Sequence, residues 1–120
     1  MDDKKKILVV DDEYSFCKSL KNYLEKQGYE VLLTTKGEQA LEMVKLEKPD
    51  LMTLDILMPG INGHEVLEKA RQIDENLPII IVSAVDIPDM EGSLKRAGAK
   101  AIFRKPANMN DLAKAIENLV

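Results

Sequence analysis

Leu51-Met52-Thr53-Leu54-Asp55-Ile56-Leu57-Met58-Pro59-Gly60 decides how this chain folds. Residues 51–54 suit a buried strand, Asp55 ends it, and Met58-Pro59-Gly60 is loop chemistry. Pro49-Asp50 breaks the chain just before. A carboxylate placed where a buried strand ends is costly unless something pairs with it. The question for the rest of the sequence is what that partner is.

Working outward, four more short apolar runs have the same character. They are residues 7–10, 31–33, 79–82 and 101–103. None alternates polar with apolar positions. Strands covered on both faces read this way, which calls for a parallel sheet between two helix layers. The intervening segments carry helical spacing. A helix is predicted over 14–27, with Phe16, Leu20 and Leu24 on one face and Gly28 ending it. A second is predicted over 36–47, capped by Thr35 with Glu38 completing a capping box. A third opens at Asn62 or Gly63 and runs to Gln72. A weaker, polar one covers 90–97, marked by Pro88 and Gly92 and closed by Gly98. The last covers 109–120.

The expected fold class is therefore α/β, a (βα)5 flavodoxin-like three-layer sandwich whose parallel sheet has strand order 2-1-3-4-5. All 120 residues are expected to form one domain. Ligands of such sheets bind beyond the strand C-terminal ends, where the order reverses.

At those ends the chain sets its polar residues. Asp11-Asp12-Glu13 follows strand one, Asp55 follows strand three, Ser83 ends strand four, and Arg104-Lys105-Pro106 follows strand five. Taken singly, an acidic run is usually a solvated loop, Ser83 a strand-end cap, and Lys105 a surface lysine. Gathered at one edge, they form a crevice of crowded carboxylates that needs a counter-cation. A hard divalent ion with oxygen ligands, Mg²⁺ or Mn²⁺, suits it. Asp55 could then act as a carboxylate nucleophile toward phosphorus, with Lys105 and Ser83 contacting phosphoryl oxygens.

The constellation Val9-Val10-Asp11-Asp12-Glu13, Leu54-Asp55-Ile56-Leu57-Met58-Pro59-Gly60, Ser83-Ala84 and Lys105-Pro106 resembles the receiver domains of response regulators in two-component and phosphorelay signalling. The resemblance covers the chain from Lys6 to Val120. It implies Asp55 as phosphoacceptor, Asp12 as a direct metal ligand, Asp11 as a ligand through water, and the Leu57 backbone carbonyl as a further ligand. It implies Ser83 as switch hydroxyl and Lys105 as phosphate-pairing lysine, with a cis Lys105-Pro106 bond. The implied phosphoryl donor is a phosphohistidine on a sensor histidine kinase or a phosphotransfer protein. The implied docking face for an effector is helix four, strand five and helix five. The chain departs from the family where an aromatic residue usually precedes the lysine by three positions. Ile102 stands there, and Phe103 should face the other side of the strand. Ala107 replaces a common Phe. Leu57 and Val85 flank the site and are apolar, which predicts slow loss of the phosphoryl group.

Rival classes fit less well. A haloacid-dehalogenase-like phosphohydrolase wants a second Asp two residues after the first, where Leu57 stands. No phosphate cradle for a flavin, no Trp and no G-x-G-x-x-G after strand one support a redox cofactor. A degenerate receiver that only docks proteins would not need the acidic residues and the lysine.

Composition bounds the rest. Hydrophobic residues are 45% and charged residues 32%, which excludes a disordered chain. A net charge of −4 argues against direct nucleic-acid binding. No apolar run reaches membrane-span length. One cysteine, Cys17, precludes an internal disulfide, so a cytoplasmic location is expected. Cys17 is read as a core residue, the single His64 as a surface residue, and Lys4-Lys5-Lys6 as a solvated entry to strand one.

Overall fold

Five parallel strands form one sheet in the order β2-β1-β3-β4-β5, as the uninterrupted apolar runs require. The strands are β1 (Lys6–Val10), β2 (Glu30–Thr34), β3 (Leu51–Leu54), β4 (Ile79–Ser83) and β5 (Ala101–Arg104). The helices are α1 (Tyr14–Lys26), α2 (Gly37–Glu47), α3 (Gly63–Ile73), α4 (Pro88–Arg96) and α5 (Met109–Leu119). The computed structural model describes residues 4–84 and 88–120. Val85, named above as a flanking residue, lies outside them.

Successive strand residues point to opposite faces, and the two faces build two core layers. Leu8, Val10, Met52, Leu54, Ile79 and Ile81 pack with Ala40, Val44, Val66, Leu67, Ala70 and Leu94 from α2, α3 and α4. Ile7, Val9, Leu51, Ile80 and Val82 pack with Cys17, Leu20, Leu24, Leu112, Ala113 and Ile116 from α1 and α5. Ile102 belongs with the first layer and Phe103 with the second, so the two neighbours on β5 do face opposite ways.

Local chemistry sets the element ends. Gly28 and Gly98 take positive φ, 99° and 111°, just past α1 and α4, where a side chain would be strained. Asn62 caps α3 by accepting a hydrogen bond from the Glu65 N–H at 2.9 Å, and Asn108 caps α5 through the Asp111 N–H at 3.1 Å. The start of α4 falls at Pro88, two residues earlier than its apolar spacing indicates, because proline's fixed φ suits a first helical turn.

The cap of α2 differs from the sequence reading. The helix begins at Gly37, Lys36 holds the N-cap position, and no side chain caps it. Thr34 rather than Thr35 serves the turn, accepting from the Lys36 N–H at 3.2 Å. The entry is fixed by packing instead. A Cβ on Gly37 would press to 2.5 Å from Ile61 Cγ2 and 2.8 Å from Val66 Cγ2.

One polar side chain ties the sheet's far end together. Arg71, in the last turn of α3, donates to the carbonyls of Glu75 (2.9 Å), Leu77 (2.6 Å) and Gly98 (2.9 Å). It thus joins the loop before β4 to the loop before β5. A flexible ammonium cannot span three carbonyls the way a planar guanidinium does. Arg71→Ala is predicted to lower stability by about 2–3 kcal/mol, and Arg71→Lys to recover less than half of that. Urea unfolding midpoints of the three proteins check it.

Candidate functional site

The hydrogen-bond ladders of the sheet run one residue past the strands and seize the polar residues found there. Asp11 N–H donates to the Thr34 carbonyl at 3.2 Å, Asp55 N–H to the Val10 carbonyl at 3.0 Å, and Lys105 N–H to the Ser83 carbonyl at 2.9 Å. Val10 pairs with Leu54 and Ser83 with Arg104, so Asp11 and Asp55 stand side by side at the β1/β3 switch point. The Lys105-Pro106 bond is cis.

Side-chain contacts then turn the carboxylates inward. Asp11 Oδ1 accepts from the Glu13 N–H at 2.9 Å, and Asp55 Oδ1 from the Leu57 N–H at 3.3 Å. Both are short-range turns of the kind aspartate favours. Ser83, itself buried, hydrogen-bonds Asp55. Lys105 Nζ lies 2.7 Å from Asp11 Oδ2, 2.6 Å from Glu13 Oε1 and 3.8 Å from Asp55 Oδ2. Asp12 is exposed beside them.

Five residues singled out in the sequence, Asp11, Asp12, Asp55, Ser83 and Lys105, therefore converge on one crevice. Leu57 follows two residues after Asp55 with its side chain largely in solvent. Two contributions escaped the sequence. Glu13 is a direct partner of Lys105. Gly63 is the other: a Cβ there would collide with the carbonyl oxygen of Asp55 and the Cα of Ile56, and its N–H donates to the Ile56 carbonyl at 2.8 Å. The loop after Asp55 folds back onto the first turn of α3, and only glycine leaves room. The glycine was visible; the close approach was not.

His64 departs from its surface reading. It is partly buried, and its Nε2 lies 3.1 Å from Ser93 Oγ on α4. A sequence periodicity does not reveal which neighbouring helix a polar residue meets. Cys17 is buried and its thiol is pushed up to about 12, by burial first and by the Asp11 charge second, so it stays a protonated core residue.

Burial dominates the electrostatics. It raises Asp55 from 3.8 to about 6, and the Asp11 charge adds to the rise, against Lys105, Ser83 and the Leu57 N–H. Asp11 is raised by burial too, opposed by Lys105. Burial pulls Lys105 down, but its contacts with Asp11 and Glu13 prevail and hold it above 10.5, so it remains charged. One lysine does not satisfy this many acids. Asp11 Oδ2 is buried against the Lys105 ammonium, which it shares with Glu13. Asp11, Asp12 and Asp55 each offer a carboxylate oxygen, and these lie within 4.8 Å of one another. An all-oxygen donor set with more carboxylates than Lys105 can neutralise fits a hard cation such as Mg²⁺ or Mn²⁺.

Comparison with known proteins agrees with this geometry. Residues 7–117 match the family model described as the response regulator receiver domain. The chain belongs to that family. This receiver domain is 38% identical over 112 residues to the sporulation initiation phosphotransferase F of Bacillus subtilis, covering 93% of this chain and 90% of that protein. It is 36% identical over 116 residues to the chemotaxis protein CheY of Thermotoga maritima, covering 96% and 97%. Among solved structures, a CheY-like receiver domain protein from Methanospirillum hungatei JF-1 superposes with a TM-score of 0.94 at 33% identity, covering 97% of this chain and 93% of that one. Other curated relatives are longer, and the chain spans about half their length. Receiver domains are modules of two-component signalling rather than classical enzymes. No helix among the described residues is long and apolar enough to cross a membrane.

The raised Asp55 gives a signed prediction. Between pH 3.8 and about 6 the folded protein keeps a proton that the unfolded chain gives up. Stability of the metal-free protein must then fall as pH rises through that window and level off above it. Asp55→Asn should flatten the slope and stabilise the protein at pH 7 by on the order of 2 kcal/mol. Urea unfolding of both proteins between pH 4 and 8, in chelator, measures it.

Proposed function

We propose that this receiver accepts a phosphoryl group on Asp55 from a phosphohistidine, in a reaction that needs Mg²⁺ or Mn²⁺, and changes its partner binding as a result. The observation that carries the reading is the buried Asp55 carboxylate, held between Ser83 and Lys105 and crowded by Asp11 and Asp12. A relative bearing the name phosphotransferase supports it.

An Asp55 carboxylate oxygen attacks phosphorus, and a P–O bond forms as the P–N bond to the donor imidazole breaks. The imidazole leaves with the electron pair and takes up a proton. Its product is an acyl phosphate. Phosphoryl transfer demands mostly positioning and charge stabilisation. Asp11, Asp12, Asp55 and the Leu57 backbone carbonyl would hold the divalent ion, which supplies positive charge toward the phosphoryl oxygens. Lys105 pairs with one such oxygen and the Ser83 hydroxyl donates to another.

Donors of this chemistry are a sensor histidine kinase or a histidine phosphotransfer protein. The effector face is formed by α4, β5 and α5. An aromatic swing is unavailable to it from position 102, because Ile102 fills that place in the α4-side core. A cytoplasmic setting suits a protein whose one thiol is buried and needs no oxidising compartment.

Incubation with acetyl phosphate and Mg²⁺ should add one phosphoryl group by intact mass. The adduct should be absent in Asp55→Asn and absent with chelator. No adduct in the wild type under any metal condition would leave a docking module with vestigial acids. A second expectation concerns lifetime. Leu57 is an exposed aliphatic residue two positions from Asp55 and cannot orient an attacking water. The acyl phosphate should decay slowly, and Leu57→Asn should shorten its half-life several-fold, followed by mass after donor removal.

A further inference from the structure

Lys105 carries four rotatable bonds, and its backbone anchor to Ser83 leaves the position of the ammonium open. Its carboxylate partners, Asp11, Glu13 and Asp55, differ in how long they can hold it. On the reading above, Asp11 and Asp55 are drawn to the cation and the phosphoryl group. Glu13 is well exposed, and an exposed ion pair contributes little. One further contact does not depend on any carboxylate. The face of the Phe16 ring lies 4.6 Å from Lys105 Nζ. That distance is within cation–π range, and the lysine side chain is only 10% exposed, where such a contact is strongest.

The placement follows from the first turn of α1. Glu13 holds its N-cap position, and Phe16 lies three residues on, so both occupy the same side of the turn. Phe16 also packs on the α1/α5 core layer while remaining only partly buried. It borders a groove of about 530 Å³ together with Glu13, Ala84, Lys105 and Pro106. A residue serving the core alone would need neither the groove nor the ammonium.

We infer that Phe16 is a positioning residue for Lys105, whose ring keeps the ammonium at the mouth of the site while its carboxylate partners are taken up by the cation and the phosphoryl group. The inference rests on Asp55 as phosphoacceptor for its effect on rate, though not for its effect on where the lysine sits.

The test compares wild type, Phe16→Leu and Phe16→Tyr. Leucine keeps an apolar filler and removes the ring, whereas tyrosine keeps the ring. The first readout is NMR of the Lys105 ε-methylene protons in the Mg²⁺-loaded, unphosphorylated protein. They should be shifted upfield by the ring in wild type and Phe16→Tyr and return to the ordinary lysine position in Phe16→Leu. The second is the rate of phosphoryl uptake from acetyl phosphate, which involves no docked protein. Phe16→Leu should slow it about three- to tenfold at unchanged Mg²⁺ affinity, and Phe16→Tyr should restore it to within about twofold. An unshifted lysine in the wild type overturns the inference. So does a Phe16→Leu rate equal to wild type, or a slow rate that tyrosine fails to rescue. A wild type that takes no phosphoryl group at all overturns the Asp55 reading instead, and with it any role of Phe16 in rate.

Discussion

The repulsion among buried carboxylates at the C-terminal edge of the sheet governs the rest of this molecule. Like charges at the separation found between Asp11 and Asp55 repel by roughly 3–4 kcal/mol at an effective dielectric near 20, and the exposed Asp12 adds a screened charge beside them. Lys105 answers only part of that, and Glu13 adds a further negative charge on its far side. Burial raises both Asp11 and Asp55 above the ordinary aspartate range, Asp55 to about 6. A site built this way has a standing demand for positive charge. That demand suits a hard divalent ion.

The crowding is imposed by backbone, which explains why the chain does not relax it. Asp11, Asp55 and Lys105 are each held through a main-chain N–H to the neighbouring strand. Turning either carboxylate outward would break the hydrogen bond it accepts from the Glu13 or Leu57 N–H. Gly63 adds a second restraint, since the chain after Asp55 doubles back against the start of α3 and has no room to swing. Two fully packed layers, one on each sheet face, hold these edges in register. Packing in the core thus keeps the carboxylates crowded.

Most of this was legible in the sequence because the relevant signals are local. Uninterrupted runs such as residues 79–82 announced strands covered on both faces, and the polar residues at or just after the ends of β1, β3, β4 and β5 announced the site. The strand order followed from topology rules rather than from any residue. What escaped was non-local. Thr35 looked like a cap for α2, but Gly37 wedged against Ile61 and Val66 sets that helix's entry. His64 looked solvent-facing, but it meets Ser93 across two helices. Glu13 read as one acid in an acidic run, and its ion pair crosses from the first loop to the last. In each case the deciding partner lies far along the chain, where spacing and propensity carry no information.

The motif residues are necessary to this site, but they leave its one mobile charge unplaced. Asp11 and Asp55 have short side chains, and a main-chain bond fixes each of them to within a rotamer. Lys105 has a long stem, and a main-chain bond fixes only its root. What places the ammonium must reach it from another element, and the first turn of α1 does so twice, with Glu13 at 2.6 Å and the Phe16 ring at 4.6 Å. The same turn supplies Asp11 and Asp12 from its leading loop. One short stretch, Asp11 to Phe16, therefore arranges both the acids that demand a cation and the lysine that stands in for one. Position 102 contributes nothing comparable, since Ile102 is absorbed into the opposite core layer. The side of the sheet that carries α1 and α5 is the side on which charge at Asp55 meets its organic counter-ion.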